Sequence, residues 1–305
     1  MRFLIWQHFA LNLNICVCCE YNDTSICMRG MDFFETLWAS SSELPIQRKE
    51  HHHTRHVELS GLIYIPEAIR MSWKGLLKGS FPKDTIQRYI VANEGIANST
   101  VFQGTLYELT VMRELMEKLR MEHMQVVGGS YDGGVDIRGR WDVTPIITEV
   151  DRHIHFEELP KRIKVNNTTI KPWRHRVKPS KYLDCYVQCK AFNSEKITGR
   201  QVREIIGVFA MQVPLSKRSS SIMIMSAPTL FTKDGITLFN EAQIPMIFTR
   251  VEMISALGNG NFDVENSGKL LQYYENDYAS KLLANCGIKE WLKLRAYEAI
   301  NKNQL

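Results

Sequence analysis

Apolar residues recur at intervals of three and four along one long stretch of the chain, which opens at Gln103 and runs to Leu119. The apolar positions in it are Leu106, Leu109, Met112, Met116 and Leu119. This spacing places them on one side of a helix, so we predict a helix that packs on a core. Glu108 lies at the edge of the apolar stripe, where its carboxylate would overhang a neighbouring sheet.

Alternation with a period of two predicts a strand that ends near Lys190. The side chains that would share a cleft-facing side are Tyr186, Gln188 and Lys190. Those that would share the core-facing side are Cys185, Val187 and Cys189. Successive side chains of a strand point to opposite faces, which is why the two sets separate.

A second strand follows the glycine-rich run that includes Asp132. The same parity places Val135 and Ile137 in the core and Asp136 on the opposite side. Glycines at 128, 129, 133 and 134 permit a close backbone approach to this strand. We interpret Asp132 as a turn residue.

Beyond Lys190 the chain alternates between helical and strand patterns. Thr198 and Gln201 fit a capping box, and apolar residues follow at helical spacing: Val202, Ile205, Ile206 and Phe209. Residues 221–225 and 244–247 are apolar runs of strand length, and 231–243 has a helical pattern. From Asn266 onward most intervals are helical. This order predicts an α/β layer fold with a helical C-terminal part.

Composition and charge narrow the class of protein. The chain has 305 residues, of which 44% are hydrophobic, and this is enough for one core with extensions. We expect no membrane span. A net charge of +5 mildly favours a polyanionic partner. The seven cysteines are an odd number and form no zinc-ribbon pairs, so we expect reduced thiols.

Positive charge is concentrated between Pro160 and Lys181. The eight basic residues of this block are Lys161, Arg162, Lys164, Lys171, Arg174, Arg176, Lys178 and Lys181, without an intervening acid. Such a block can hold a phosphate backbone, with Trp173 stacking on a base. The alternative is a solvated, partly disordered insertion. Arg200 and Arg203 on the outer side of the predicted helix have the same two interpretations, phosphate contact or solubility.

The N-terminal part has a different character. Residues 1–70 are expected to form a poorly ordered or non-native extension, in which the histidines at 51–53 and 56 are idle. Residues 71–98 interleave basic and apolar side chains with few acids, as mitochondrial targeting segments do. Met71 is therefore our expected functional start.

Polar groups in this order along the chain suggest chemistry on phosphodiesters. Asp136 offers an oxygen ligand suited to Mg²⁺, and Lys190 offers a positive charge near an attacked phosphate. The order Gly-x-x-x-Glu on a helix, Gly-Gly-x-Asp on a strand and then Gln-x-Lys resembles the Mrr-type branch of the PD-(D/E)xK restriction-endonuclease-like superfamily.

A narrower resemblance covers roughly residues 71–294. The segments Thr100–Leu119, Asp132–Gly139, Val187–Phe192 and Asn266–Leu294 are similar to the fungal mitochondrial family "required for respiratory growth protein 7". The resemblance implies a restriction-endonuclease-like core, with a central mixed β-sheet flanked by helices and a helical C-terminal extension. It also implies a mitochondrial location and a need for the protein in respiratory growth.

The resemblance implies a site as well. Asp136, Gln188 and Glu108 would bind Mg²⁺ or Mn²⁺, while Lys190 would position the attacking water. Most members of the wider superfamily carry Asp or Glu two residues before the lysine, where this chain has the neutral Gln188. A neutral ligand attracts a cation less strongly, so metal affinity depends on Asp136 and Glu108.

Two functional hypotheses follow. The first is a metal-dependent nuclease acting on mitochondrial nucleic acid, with DNA favoured and Lys171, Arg174, Arg176, Arg200 and Arg203 as contacts. The second is a catalytically inactive nuclease-fold factor that binds nucleic acid or protein. Both place a nuclease-like domain at 99–260, with a basic insertion at 142–183 and a C-terminal extension at 261–305. The sequence also permits a homodimer.

Overall fold

A computed structural model describes residues 81–82, 84–127, 133–178, 181–191, 194–258 and 260–302, with side chains described as far as residue 297. These residues belong to the second of two units, Met1–Met71 and Ser72–Leu305. The predictions for residues 1–70, for Met71 and the rest of 71–80, and for Asp132 lie outside the described residues.

The helices of the described residues are numbered in chain order. They are α1 (Thr85–Ala92), α2 (Thr100–Leu119), α3 (Thr144–Val150), α4 (Gly199–Gln212), α5 (Lys233–Glu241), α6 (Asp277–Leu282) and α7 (Ile288–Lys302). Short 3₁₀ turns cover Glu94–Ile96, Trp173–Arg176 and Leu215–Ser220. Within the described ranges, no helix is both long and apolar enough to cross a membrane.

A six-stranded sheet forms the centre of the fold. Its strands, in spatial order, are β1 (Glu122–Val126), β2 (Ile137–Trp141), β5 (Leu183–Cys189), β6 (Ser221–Ala227), β7 (Met246–Val251) and β10 (Leu270–Glu275). The central β5, β6 and β7 run parallel, and the outer pairs are antiparallel. Two hairpins, β3 (Ile163–Val165) with β4 (Thr168–Ile170) and β8 (Ser255–Gly258) with β9 (Asn261–Asp263), lie apart from it. The predicted α/β fold with a mixed sheet is confirmed.

Strand β6 is buried along its whole length because helices cover both faces of the sheet. Ile222 and Ile224 join one core together with α2, whereas Met223 and Met225 join a second core together with α4 and α5. Parallel strands buried on both faces lose the polar alternation of a surface strand. This explains the continuous apolar run in the sequence.

Helix α2 is fixed at its ends and at its middle. The Ser99 hydroxyl accepts a hydrogen bond from Phe102 N at 3.1 Å and so caps the first turn. Arg120, at φ 55°, ends the helix in the left-handed conformation. Between them the buried Tyr107 hydroxyl donates to Val251 O at 3.0 Å, which ties the helix to β7. The predicted helix is confirmed, and it begins at Thr100, three residues before the stretch that the spacing indicated.

Helix α4 begins with the predicted capping box. The Gln201 side chain accepts from Thr198 N at 2.9 Å, and the Thr198 side chain bonds back to the first turn. Val202, Ile205 and Phe209 are buried against the sheet. The outer face of α4 is therefore held in a fixed orientation above the end of β5.

The C-terminal part differs from the prediction in one element. Residues Leu270–Glu275 form β10, an antiparallel edge strand on β7, where helical spacing had suggested a helix. The buried Glu114 carboxylate accepts from Leu270 N at 2.9 Å and fixes the start of this strand. Helices α6 and α7 follow it and agree with the predicted helical character.

The basic insertion is folded in its described residues. It contains α3, the β3–β4 hairpin and a 3₁₀ turn. Trp173 in that turn is 0% exposed and belongs to the core, so the suggested stacking of this ring on a base is wrong. A buried indole has no free face to offer a base. Arg176 and Lys181 lie over its ring.

Candidate functional site

Asp136 is fixed at the C-terminal end of β5 by two hydrogen bonds. Its backbone N–H donates to Val187 O at 2.9 Å, and its Oδ2 accepts from Cys189 N at 2.6 Å. A carboxylate that accepts from a backbone N–H makes a short, charge-assisted bond. The carboxylate is thus placed beside the backbone that joins Gln188 to Lys190.

Two glycines allow the Asp136 segment to pass close to α4. Gly133 and Gly134 have φ values of 66° and 82°, which side chains other than glycine rarely adopt. A Cβ on Gly134 would lie 2.6 Å from Val208 Cγ2. A Cβ on Gly133 would lie 2.0 Å from Gln212 Nε2. The Gly-Gly pair is therefore required both by the backbone conformation and by the proximity of the helix.

Gln188 is buried, at 4% exposure, and only one end of its amide is hydrogen bonded. Its Nε2 donates to Glu204 Oε1 at 3.3 Å. Its Oε1 is buried and lacks a hydrogen-bond partner within the described part of the chain. Exchanging the two ends would bring the amide oxygen against a carboxylate, so Glu204 determines the orientation of the amide. An unpaired buried acceptor costs about 1–3 kcal/mol, which a cation ligated there would offset.

Lys190 follows β5 and points its ammonium at helix α4. Its backbone N–H donates to Ser226 O at 2.8 Å, and its Nζ donates to Glu204 Oε1 at 2.8 Å. The side chain of Lys190 is 19% exposed and that of Glu204 is 47% exposed. The hydrogen bond from Lys190 is the main cause that lowers the pKa of Glu204, which therefore stays ionised.

Glu204 is the site residue that sequence analysis missed. It lies on α4 between the buried Val202 and Ile205, and a carboxylate there is common on the solvent side of a helix. Its position next to the apolar stripe was the available signal in the sequence. The spacing along α4 does not reveal that this carboxylate reaches two residues at the end of β5.

Glu108 approaches the same region from helix α2. Burial raises the pKa of the Cys189 thiol well above its ordinary value, the charges of Asp136 and Glu108 raise it further, and Lys190 lowers it. All three predicted charged residues therefore act on one position at the end of β5. Glu108 is half-buried, and its neighbour Tyr107 anchors this turn of α2 to the sheet.

The donor groups at the end of β5 meet the needs of one class of divalent cation. In the ranges described, no group of three or more His, Cys, Asp or Glu residues could hold a metal. Mg²⁺, however, binds through one or two carboxylates and keeps several waters. The Asp136 carboxylate and the unpaired Gln188 oxygen, an amide group, fit that requirement. The site is therefore compatible with a cation that keeps several waters. It is not compatible with a cation that needs all of its ligands from protein side chains.

The predicted phosphate contacts separate into two groups. Arg200 and Arg203 are exposed on α4, and Arg200 contributes to the lowered pKa of Glu204. Lys171 is also exposed. Arg174 donates to both oxygens of Asp151, at 2.7 and 3.0 Å, and to Asn285 O at 2.6 Å. Its guanidinium thus connects the insertion to the C-terminal part.

Arg176 is likewise engaged within the fold. It donates to Ser219 O at 2.7 Å, and burial lowers the pKa of its guanidinium. Arg174 and Arg176 have structural roles that the sequence did not predict. Their part in binding phosphate stays a prediction, as does that of Lys171, Arg200 and Arg203.

Comparison with known proteins identifies the family. Residues 99–283 match the sequence profile of "Required for respiratory growth protein 7". The chain belongs to this family. It is 74% identical over 230 residues to "Required for respiratory growth protein 7, mitochondrial" of Kluyveromyces lactis, covering 75% of this chain and 99% of that protein.

Other members of the respiratory growth protein 7 family are also similar. The Zygosaccharomyces rouxii protein is 48% identical over 218 residues, and that of Saccharomyces cerevisiae S288c is 45% identical over 219 residues; each match covers 70% of this chain and 90% of the relative. All are named as mitochondrial, which confirms the predicted location. No solved structure matches the chain.

Proposed function

We propose that this chain is a metal-dependent nuclease of the Mrr-like PD-(D/E)xK type that hydrolyses phosphodiester bonds in mitochondrial nucleic acid, DNA being favoured. The observation that carries the proposal is the buried Gln188 Oε1, which lacks a hydrogen-bond partner among the described residues, while the Asp136 carboxylate accepts from the backbone N–H of the next residue, Cys189. A buried acceptor in this state is uncommon in folded proteins, and a bound ion is one of the features that account for it.

The proposed ligands of Mg²⁺ or Mn²⁺ are Asp136 and Gln188, with Glu108 assisting from α2. When bound, such a cation neutralises charge on a phosphate and makes a coordinated water more acidic. Lys190 donates hydrogen bonds and orients the attacking water against the phosphate. Its ammonium donates a hydrogen bond to Glu204 Oε1 at 2.8 Å.

The proposed contacts to the rest of the nucleic acid are basic side chains. Arg200 and Arg203 lie on the exposed face of α4, the helix that carries Glu204. They would bind phosphates next to the one that is attacked, in a salt-dependent manner. Lys171, Arg174 and Arg176 would extend this contact. Two copies, in the homodimer that the sequence permits, would cut both strands of a duplex.

One observation favours the second hypothesis, an inactive factor that binds nucleic acid or protein. The ion pair between Lys190 and Glu204 neutralises the one ammonium that the mechanism uses. An ammonium already paired is a weaker ligand for a phosphate oxygen. The two functions make opposite predictions for cleavage, although both retain the nuclease-like fold.

Cleavage assays separate the two hypotheses. The purified chain is incubated with duplex, single-stranded and branched DNA and with RNA, in the presence of Mg²⁺ or Mn²⁺. We expect metal-dependent cleavage that falls at least about a hundredfold in Asp136→Asn and in Lys190→Met, because each removes a group that acts on the reacting phosphate. Asp277→Asn and Lys233→Met, both exposed and on other helices, are the matched controls.

Growth on a respiratory carbon source provides the second measurement. The same variants are expressed in Saccharomyces cerevisiae that lacks its own relative. We expect Asp136→Asn and Lys190→Met to fail to restore growth, while both control variants restore it. Full growth with either site variant would contradict the nuclease proposal and favour the inactive factor.

A further inference from the structure

One carboxylate oxygen of Glu204 accepts hydrogen bonds from both Gln188, on β5, and Lys190, the residue that follows β5. Glu204 Oε1 accepts from Gln188 Nε2 at 3.3 Å and from Lys190 Nζ at 2.8 Å. The oxygen comes from helix α4, 14 residues beyond Lys190. Glu204 therefore connects a helix to both side chains of the Gln-x-Lys motif.

We propose that Glu204 is a positioning residue of the metal site, which supplies from helix α4 the negative charge that position 188 lacks. This inference depends on the proposed function, because it assigns a partner to the same cation. It differs from that function in naming a residue outside the four groups predicted from sequence. Glu204 acts through Gln188 and Lys190 and touches neither metal nor substrate.

The first effect of Glu204 is on the Gln188 amide. An amide offers a donor at one end and an acceptor at the other, and a cation needs the acceptor. Because Glu204 accepts from Nε2, the unpaired Oε1 is the end left for a cation. Without the carboxylate the amide is free to turn, and its donor end would repel the cation.

The second effect is on the charge of the group. Asp136 and Glu108 bring two negative charges to the end of β5 and Lys190 brings one positive charge, so only one net negative charge of these three groups remains to attract a cation. Glu204, at 2.8 Å from Lys190, offsets the ammonium and raises the net negative charge of the four groups from one to two. At an effective dielectric constant of about 20, one unit charge several ångströms from a divalent cation changes its affinity by more than about tenfold.

The test measures Mn²⁺ binding by calorimetry on the full chain, with nucleic acid absent. Glu204→Gln is expected to weaken Mn²⁺ affinity about tenfold or more. The double variant Gln188→Glu with Glu204→Gln moves the charge to β5 and preserves a hydrogen bond between the two positions with its direction reversed. We expect it to bind Mn²⁺ within about threefold of the unchanged chain.

A matched control is Glu241→Gln, at an exposed residue on α5, which is expected to leave Mn²⁺ affinity unchanged. If Glu204→Gln binds Mn²⁺ as tightly as the unchanged chain, the role of Glu204 is overturned and the nuclease proposal stands. If the unchanged chain binds no Mn²⁺, both are overturned. Should Glu204→Gln fail to fold, the double variant decides, and loss of binding in it overturns the inference.

Discussion

At the scale of single residues, backbone freedom at Gly133 and Gly134 determines where Asp136 can lie. Both glycines have positive φ, and both lie against side chains of α4. A single methyl group at either position would meet the helix. The Gly-Gly-x-Asp motif thus has a steric cause that is independent of any reaction.

We expect Gly134→Ala to lower the free energy of unfolding by about 3 kcal/mol, through an unfavourable left-handed conformation and a clash with Val208. Urea unfolding of the variant and of the unchanged chain measures this difference in free energy. Gly207→Ala is the matched control on α4, because a Cβ there meets nothing within 4 Å. That variant should gain about 0.5–1 kcal/mol, since alanine favours helix over glycine. Equal effects of the two substitutions would contradict this account.

The described cysteines are free thiols at Cys185, Cys189 and Cys286. Burial raises the pKa of Cys286 from its ordinary value near 9 to about 12, with a smaller contribution from Glu275. The folded state therefore keeps a proton that the unfolded state loses. Stability from this thiol is complete below pH 9 and declines as pH rises towards 12.

At pH 10 the loss from Cys286 alone should be about 1 kcal/mol relative to pH 8. We expect urea unfolding at the two pH values to show a smaller decrease in Cys286→Ala than in the unchanged chain, by about this amount. An identical decrease in both proteins would mean that the thiol ionises equally in the folded and unfolded states.

At the scale of elements, Asn276 joins three of them with one side chain. Its Nδ2 donates to Phe239 O, Ala242 O and Ile244 O, and its Oδ1 accepts from Met246 N and Ala279 N. These bonds close the end of α5, start β7 and cap α6. The residue is completely buried.

Asn276→Ala should lower the free energy of unfolding by about 3–5 kcal/mol, because it leaves several buried backbone groups without partners. Asn240→Ala, which removes one half-buried bond to Tyr274, should cost about 1 kcal/mol in the same thermal or urea experiment. A cost for Asn276→Ala no larger than for the control would show that water replaces the lost bonds.

Local signals predicted some elements well and one wrongly. Helix α4 carries its own capping box and apolar stripe, so residues close in sequence specify it. Strand β10 contains two pairs of adjacent apolar residues, Leu270 with Leu271 and Tyr273 with Tyr274. Such pairs fit the spacing of a helix as well as the alternation of a strand. Its strand form depends on pairing with β7 and on the bond from Leu270 N to Glu114, and both are distant in sequence.

At the scale of the whole molecule, the C-terminal helix completes the core. Trp291 on α7 is 3% exposed, and its indole N–H donates to Lys118 O at the end of α2. Arg120 and Arg295 lie over its ring. Helix α7 is thereby packed against the C-terminal end of α2.

Trp291→Ala should lower the free energy of unfolding by about 4 kcal/mol, since it leaves a cavity and an unpaired carbonyl. Tyr297→Ala on the same helix, where the tyrosine is 52% exposed, should cost less than about 1 kcal/mol. Thermal unfolding of both variants checks this. A small loss in Trp291→Ala would mean that α7 is dispensable to the core.

Strand parity and the order of the motifs were enough to name Asp136, Gln188 and Lys190 as candidate site residues, because both can be read along the sequence. It could not predict Glu204, since that contact exists once α4 has docked on the sheet. It also misassigned Trp173, an aromatic residue in a basic block, because burial depends on packing against the rest of the fold. The positions of Glu204 and Trp173 both depend on how separate elements pack together, which the pattern within one stretch of sequence does not show.

Helix α4 meets the site region at two points along its length. Glu204 bonds to Gln188 and Lys190, while Gln212 near the C-terminal end contacts Gly133 and accepts from Arg138. A helix of 14 residues is a rod about 20 Å long that moves as one body. Substitutions on its buried side, remote from any charge, will therefore displace Glu204 and Gln212 together and change their contacts with Lys190 and Arg138 without altering any of these four residues.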